Sequence, residues 1–145
     1  MPHLLDTDWI VDCLNDRQDA LQTVRTLSRE GVRTSIITYA ELYQGAYYAR
    51  DPAAALRFLA EFLQGIPILP LSVAVAERFA VVRGALSRQH RQQIGDMDLL
   101  IAATALDGDL KLVTRNMWDF SLVPRLKIYE ADSSNPRDSA PPPRT

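Results

Sequence analysis

Carboxylates are the side chains of this sequence with the most chemical potential. Asp6 ends the apolar run His3-Leu4-Leu5, and Glu41 sits just beyond the run Arg33 to Ile37. Asp96 and Asp98 open a strongly apolar segment, and Asp119 follows Thr114, Arg115 and Asn116 behind a further apolar run. Gathered in one place, such groups raise one another's pKa and repel, so a cluster of them is normally neutralised by a cation. Hard oxygen ligands without His or Cys suit Mg²⁺ or Mn²⁺ rather than zinc. His3 and His90 have no partner at ligand spacing. The single Cys13 lies on an apolar stripe and excludes both a disulfide framework and a multi-cysteine zinc site.

Taken singly, each acid has a plainer role. Asp6 and Asp98 stand where helix N-caps stand. Thr38-Tyr39-Ala40-Glu41 fits a capping box, in which Glu bonds back to the cap residue. Asp119 fits a surface turn, and Asp96 a turn beside Gly95. The metal expectation rests on the ensemble.

Bringing the acids together falls to an alternating chain. His3 to Asp6 and Arg33 to Ile37 read as short strands. Thr7 to Leu14 and Asp19 to Glu30 carry apolar residues at helical spacing, and Gly31 stops the second. Thr38 to Ala49 and Ala53 to Leu63 read as helices separated by Asp51-Pro52. Ile66 to Leu71 reads as a strand whose Pro67 and Pro70 suit an edge or the strand ends. Ser72 is expected to cap one long helix running to about Gln92. Asp98 to Leu106 reads as a buried helix, apolar on most sides. Leu110 to Thr114 and Leu126 to Tyr129 complete the strands. Strands alternating with helices imply an α/β fold with a parallel sheet flanked by helices, and in such sheets the functional crevice lies at the carboxyl ends of the strands. The acids named above fall at those ends.

The chain has 145 residues, 47% hydrophobic, with a net charge of −2. That is one domain, large enough to fold without a disulfide or a structural metal. Residues 131–145 hold three consecutive prolines and no large apolar side chain; a disordered tail is expected there, with residues 1–130 forming the folded domain. No run nears the roughly 18 apolar residues of a membrane span, and the first residues lack the basic region and apolar core of a leader. A cytoplasmic protein with no membrane partner is expected. The net charge argues against coating nucleic acid by bulk electrostatics, though not against an enzyme acting on it. Fourteen of the sixteen basic residues are Arg, which contacts phosphate bidentately. Arg83, Arg88, His90 and Arg91 form a basic segment ahead of Asp96.

Four segments together resemble the motifs of PIN-domain ribonucleases, most closely the VapC-type toxins of bacterial toxin–antitoxin operons. They are Leu4-Leu5-Asp6-Thr7-Asp8, Thr38-Tyr39-Ala40-Glu41-Leu42-Tyr43-Gln44-Gly45, Asp98-Leu99-Leu100-Ile101-Ala102-Ala103-Thr104-Ala105, and Leu112-Val113-Thr114-Arg115-Asn116-Met117-Trp118-Asp119-Phe120. The resemblance implies a three-layer fold with a central, mostly parallel five-stranded sheet. It implies a Mg²⁺-dependent endoribonuclease (Mn²⁺ as the alternative ion), dimeric, and inhibited by a small DNA-binding antitoxin. By position, Asp6, Glu41, Asp98 and Asp119 match the acidic quartet. Asp96 ranks as an auxiliary ligand, Thr7 and Thr114 as hydrogen-bond partners of the acids, Asn116 as support for the fourth motif, and Arg115 as a phosphate contact. On this scheme Asp6 and Asp98 hold Mg²⁺, which activates water. Glu41 and Asp119 hold a second ion or orient its waters, and cleavage leaves 3′-hydroxyl and 5′-phosphate ends. Tyr43, Tyr47 and Tyr48, with the helix Ala53–Leu63, suit a groove for the antitoxin, although core packing competes for Tyr43.

Two other functions fit parts of the pattern. Asp6-Thr7-Asp8 and Gly95-Asp96-Met97-Asp98 resemble the nucleophile and metal motifs of haloacid-dehalogenase-like phosphatases. That fold needs a lysine ahead of the metal motif, and Lys111 and Lys127 both come after it. An inactive module that only binds nucleic acid or antitoxin is disfavoured by the intact quartet.

Overall fold

The computed structural model describes residues 1–131; the rest of the expected tail lies outside the described residues. The chain runs β1 (His3–Leu5), α1 (Thr7–Leu14), α2 (Gln18–Leu27), β2 (Val32–Ser35), α3 (Ile36–Tyr47), α4 (Pro52–Leu63), β3 (Ile68–Leu69), α5 (Val73–Ala85), α6 (Arg88–Ile94), α7 (Asp96–Asp107), β4 (Lys111–Val113) and α8 (Met117–Phe120). The strands form one sheet in the order β3-β2-β1-β4, every pair parallel.

This order puts β1 at the centre of the sheet, and its sequence suits the place: three residues, all buried. Side chains alternate across a strand. Leu4 and Leu112 therefore point to one face, where Val82, Leu86, Ile94, Leu99, Ile101 and Phe120 pack on them. Leu5 and Val113 point to the other, against Trp9, Ile10, Cys13, Val24, Leu42, Leu59 and Leu63. Helices cover both faces, giving the three layers expected.

Two expectations are corrected. Among the described residues the sheet has four strands, not five: Leu126 to Tyr129 contributes one parallel bridge, Ile128 to Leu112. The Leu112 N–H donates to the Lys127 carbonyl and the Tyr129 N–H to the Leu112 carbonyl, both at 2.8 Å. This segment pairs with a single residue at the sheet edge and no ladder develops. The long helix from Ser72 is in fact two. Leu86 turns extended (φ −86°, ψ 146°) and buries its side chain, and Ser87 caps a new helix by accepting the His90 N–H at 3.1 Å. The apolar pattern continues across the break because both helices pack on the same face of the sheet.

Candidate active site

The carboxyl ends of β1, β2 and β4 open on one side, and the start of α7 comes up beside them. Asp6 is the first residue beyond β1. It is buried, its Oδ1 accepts the Thr7 N–H at 2.8 Å, and its Oδ2 accepts the Thr114 hydroxyl at 2.7 Å. It thus caps α1 and faces the crevice at the same time. Burial pushes its pKa up, Glu41 adds to the rise, and the bonds from Thr114 and Thr7 oppose it.

Glu41 does not close a capping box. Ser35 caps α3 by accepting the Thr38 N–H at 3.0 Å, one turn earlier than the sequence pattern indicates, and Thr38 is fully buried inside the helix. Glu41 instead accepts the Thr7 hydroxyl at 2.8 Å, and Thr7 Oγ1 also lies 3.2 Å from Thr38 Oγ1. Asp98 does not cap α7 either, because that place belongs to Gly95 and no side chain bonds there. Its pKa is pushed up to about 7, first by burial and then by Asp6, Glu41 and Asp119. All three other members of the quartet thus act on Asp98, and the structure brings the four acids together.

Asp119 is held from two sides. Gln93 of α6 donates to its Oδ1 at 3.0 Å, and Asn116 Nδ2 donates to its Oδ2 at 3.0 Å. Asn116 also caps α8 by accepting the Asp119 N–H at 3.4 Å. Thr114 joins the two halves of the site, since its hydroxyl donates to Asp6 and accepts the Asn116 N–H at 3.0 Å.

Two residues stand elsewhere than expected. The Asp96 side chain is 61% exposed and pairs with Arg83 at 3.0 Å. Its place in the first turn of α7, two residues before Asp98, turns it to a different side of the helix. Arg115 does not extend toward the crevice mouth: its guanidinium bonds to Asp12 at 3.2 Å and lies 3.8 Å from the centre of the Trp9 ring. Asp8, which the motif contains but the quartet omits, accepts the Arg115 N–H at 3.0 Å. Its pKa is raised by burial and then by Asp6. Gln93 was the other omission; a glutamine on a polar helix carries no signal that singles it out.

Every donor at this site is a carboxylate, hydroxyl or amide oxygen, which suits a hard divalent cation. Among the described residues no three Asp, Glu, His or Cys side chains are already drawn into a coordination cage. Mg²⁺-type ions keep several waters and take only one or two carboxylates directly, so an open set of acids fits them. The raised pKa of Asp98 points the same way, since a cation offsets both the burial and the neighbouring acids that raise it.

Beside the crevice, α1, α3 and α4 leave a groove of about 340 Å³. Val11, Leu14, Leu42, Ala46 and Phe58 line it, and Glu41 stands on its wall. Tyr43, Tyr47 and Tyr48, expected in this groove, do not line it; Tyr43 is 45% exposed, so core packing does not claim it, and Tyr47 and Tyr48 are more exposed still.

The PIN domain model matches residues 3–126. Ribonuclease VapC2 of Haemophilus influenzae is 29% identical over 127 residues, 88% of this chain and 96% of the relative. Ribonuclease VapC10 of Mycobacterium tuberculosis is 31% identical over 125 residues, 86% and 90% of the two chains. Among solved structures, VapBC2 from Rickettsia felis bound to a promoter DNA fragment superimposes with a TM-score of 0.81 at 26% identity, covering 91% of this chain and all of that one. With the four acids assembled at the strand ends of this parallel sheet, the chain belongs to the PIN-domain family, among its VapC-type ribonucleases.

Proposed function

We propose that this chain is the toxin of a toxin–antitoxin pair, an endoribonuclease that cuts RNA at the crevice formed by Asp6, Glu41, Asp98 and Asp119. The observation that carries this reading is the convergence of four carboxylates from separate segments at one end of the sheet, in a PIN-domain chain. Bound there, a divalent cation, Mg²⁺ or Mn²⁺, supplies neutralisation of phosphate charge and acidification of water. Asp6, buried beyond β1, and Asp98, in the first turn of α7, are its holders in this scheme. Glu41 and Asp119 orient water and the departing 3′-oxygen side of the substrate. Thr7 and Thr114 fix the carboxylates through their hydroxyls, and Asn116 with Gln93 fixes Asp119. Asp96 and Arg115 take no direct part in this scheme.

The apolar groove beside Glu41 suits a short antitoxin segment, which would block the crevice from its edge. A homodimer is the expected assembly.

The test uses antitoxin-free protein and structured RNA with Mg²⁺. Discrete fragments with 5′-phosphate ends are expected, and EDTA should abolish them. Asp6→Asn keeps an N-cap side chain for α1 but removes the charge, so it should keep its fold and lose cleavage about a hundredfold or more. Cleavage by Asp6→Asn at the parental rate would place the chemistry elsewhere.

A further inference from the structure

Arg115 is a cation next to a site for a polyanion, yet its side chain is only 10% exposed. Its Nε lies 3.2 Å from Asp12 Oδ2 and its Nη2 3.6 Å from Asp19 Oδ2. The guanidinium plane covers the buried Trp9 ring, with Cζ 3.8 Å from the ring centre. Planar stacking and a fork of donors are the features that distinguish Arg from Lys, and this site uses both. The backbone is tied to the same helix, since the Arg115 N–H donates to Asp8 Oδ2 at 3.0 Å. A reach toward RNA phosphate would break two charge-assisted contacts and uncover Trp9.

The neighbours of Arg115 in the chain are the residues that hold the acids. Thr114 on one side donates to Asp6 at 2.7 Å; Asn116 on the other donates to Asp119 at 3.0 Å and bonds back to Thr114. Any shift of Arg115 is therefore passed within one residue to both ends of the quartet. Resting on the ribonuclease reading above, we propose that Arg115 is a positioning residue: clamped by Asp12 and Asp19 over Trp9, it locks the turn 114–119 to α1 and so sets Asp119 against Asp6. It makes no contact with the RNA backbone.

Arg115→Lys keeps the charge and loses the fork and the stack. Its kcat for RNA cleavage should fall about tenfold or more, as a small misplacement of a catalytic group does, with KM unchanged. The slope of RNA affinity against salt should also stay as in the parent. Adding Arg115→Lys to Asp119→Asn should cost nothing further, because the clamp acts through Asp119. A raised KM with a salt slope smaller by about one would instead mark Arg115 as a phosphate contact. Independent, multiplying losses in the double variant would also overturn the clamp. If Arg115→Lys does not fold, Asp12→Asn loosens one arm while Asp19 and Trp9 still hold the guanidinium. The same loss confined to kcat is expected of it, and a parental kcat would overturn the proposal. Should the parent cut no RNA, the ribonuclease reading fails, and the clamp is judged by NMR on the Asn116 side-chain amide. Faster exchange of those protons in either variant supports the clamp; unchanged protection overturns it.

Discussion

Asp98 is an acid whose surroundings oppose its charge, and its titration carries a consequence for stability. Unfolded, it titrates near the ordinary value of 3.8; folded, near 7, because of burial and then Asp6, Glu41 and Asp119. Between those values the folded chain holds more protons than the unfolded one. In EDTA, stability from this group is therefore present as pH falls from 7 toward 4 and is lost as pH rises through about 7. Melting curves between pH 5 and 8 (approximate bounds taken from that shift) should descend with pH in the parent and descend less steeply in Asp98→Asn, where Asp6 and Asp8, also raised by burial, still contribute. At the upper end, the variant should melt at the parental temperature or above it. Added Mg²⁺ should raise the melting temperature of the parent more than that of the variant. A variant that melts lower in EDTA and keeps cleavage would return Asp98 to a purely structural role. The four acids were legible because their places, Asp6, Glu41 and Asp119 beyond apolar runs and Asp98 at the head of one, survive errors of one or two residues in element ends, and the likeness to the PIN motifs set Asp98 apart from Asp96. The fate of Arg115 was not legible. Its partners Asp12, Asp19 and Trp9 lie about a hundred positions earlier, and only the fold brings them near.

At the level of elements, the N-terminus of α7 depends on one backbone conformation. Gly95 has φ +76° and ψ 159°, a region that side chains with a Cβ rarely enter. A Cβ there would meet nothing within 4 Å, so the strain belongs to the backbone alone. Gly95→Ala should cost about 1–3 kcal/mol in chemical denaturation and should reduce cleavage by shifting Asp98, three residues on. Loss of stability without loss of activity would mean that α7 keeps its start despite the strain. Helix starts were the least legible feature of the sequence. Thr38 and Glu41 fit a capping box, yet Ser35 takes the cap because β2 ends there and α3 begins at once. The division of α5 from α6 was hidden for a related reason: Ser87 looks like any polar residue until Leu86 turns inward. Strands were legible as apolar runs, but whether a run finds a full partner, as β1 does and Leu126 to Tyr129 does not, depends on the edge it meets.

Across the whole molecule, a shell of helices on each face of four short strands leaves the acids at one end and little backbone to spare. Tyr129 and Ala131 still pack against the core cluster around Trp9 and Leu5. A chain ending at Ala131 should therefore keep its melting temperature and its cleavage, since residues beyond it offer no large apolar side chain. One ending before Tyr129 should melt lower, because that ring packs in T-shaped contacts with Trp9 and His3. Equal melting of both truncations would show that this packing contributes nothing. The environments of Trp9 and Trp118, the two tryptophans in the sequence, make the chain its own optical probe. Trp9 is 2% exposed beneath a guanidinium, and Trp118, beside Asp119, is 55% exposed. Emission from Trp118 should lie to the red and yield to acrylamide, while that of Trp9 stays blue and shielded. Replacing Trp118 with Phe leaves a light source inside the clamp; replacing Trp9 leaves one on the exposed side of α8, next in the chain to Asp119.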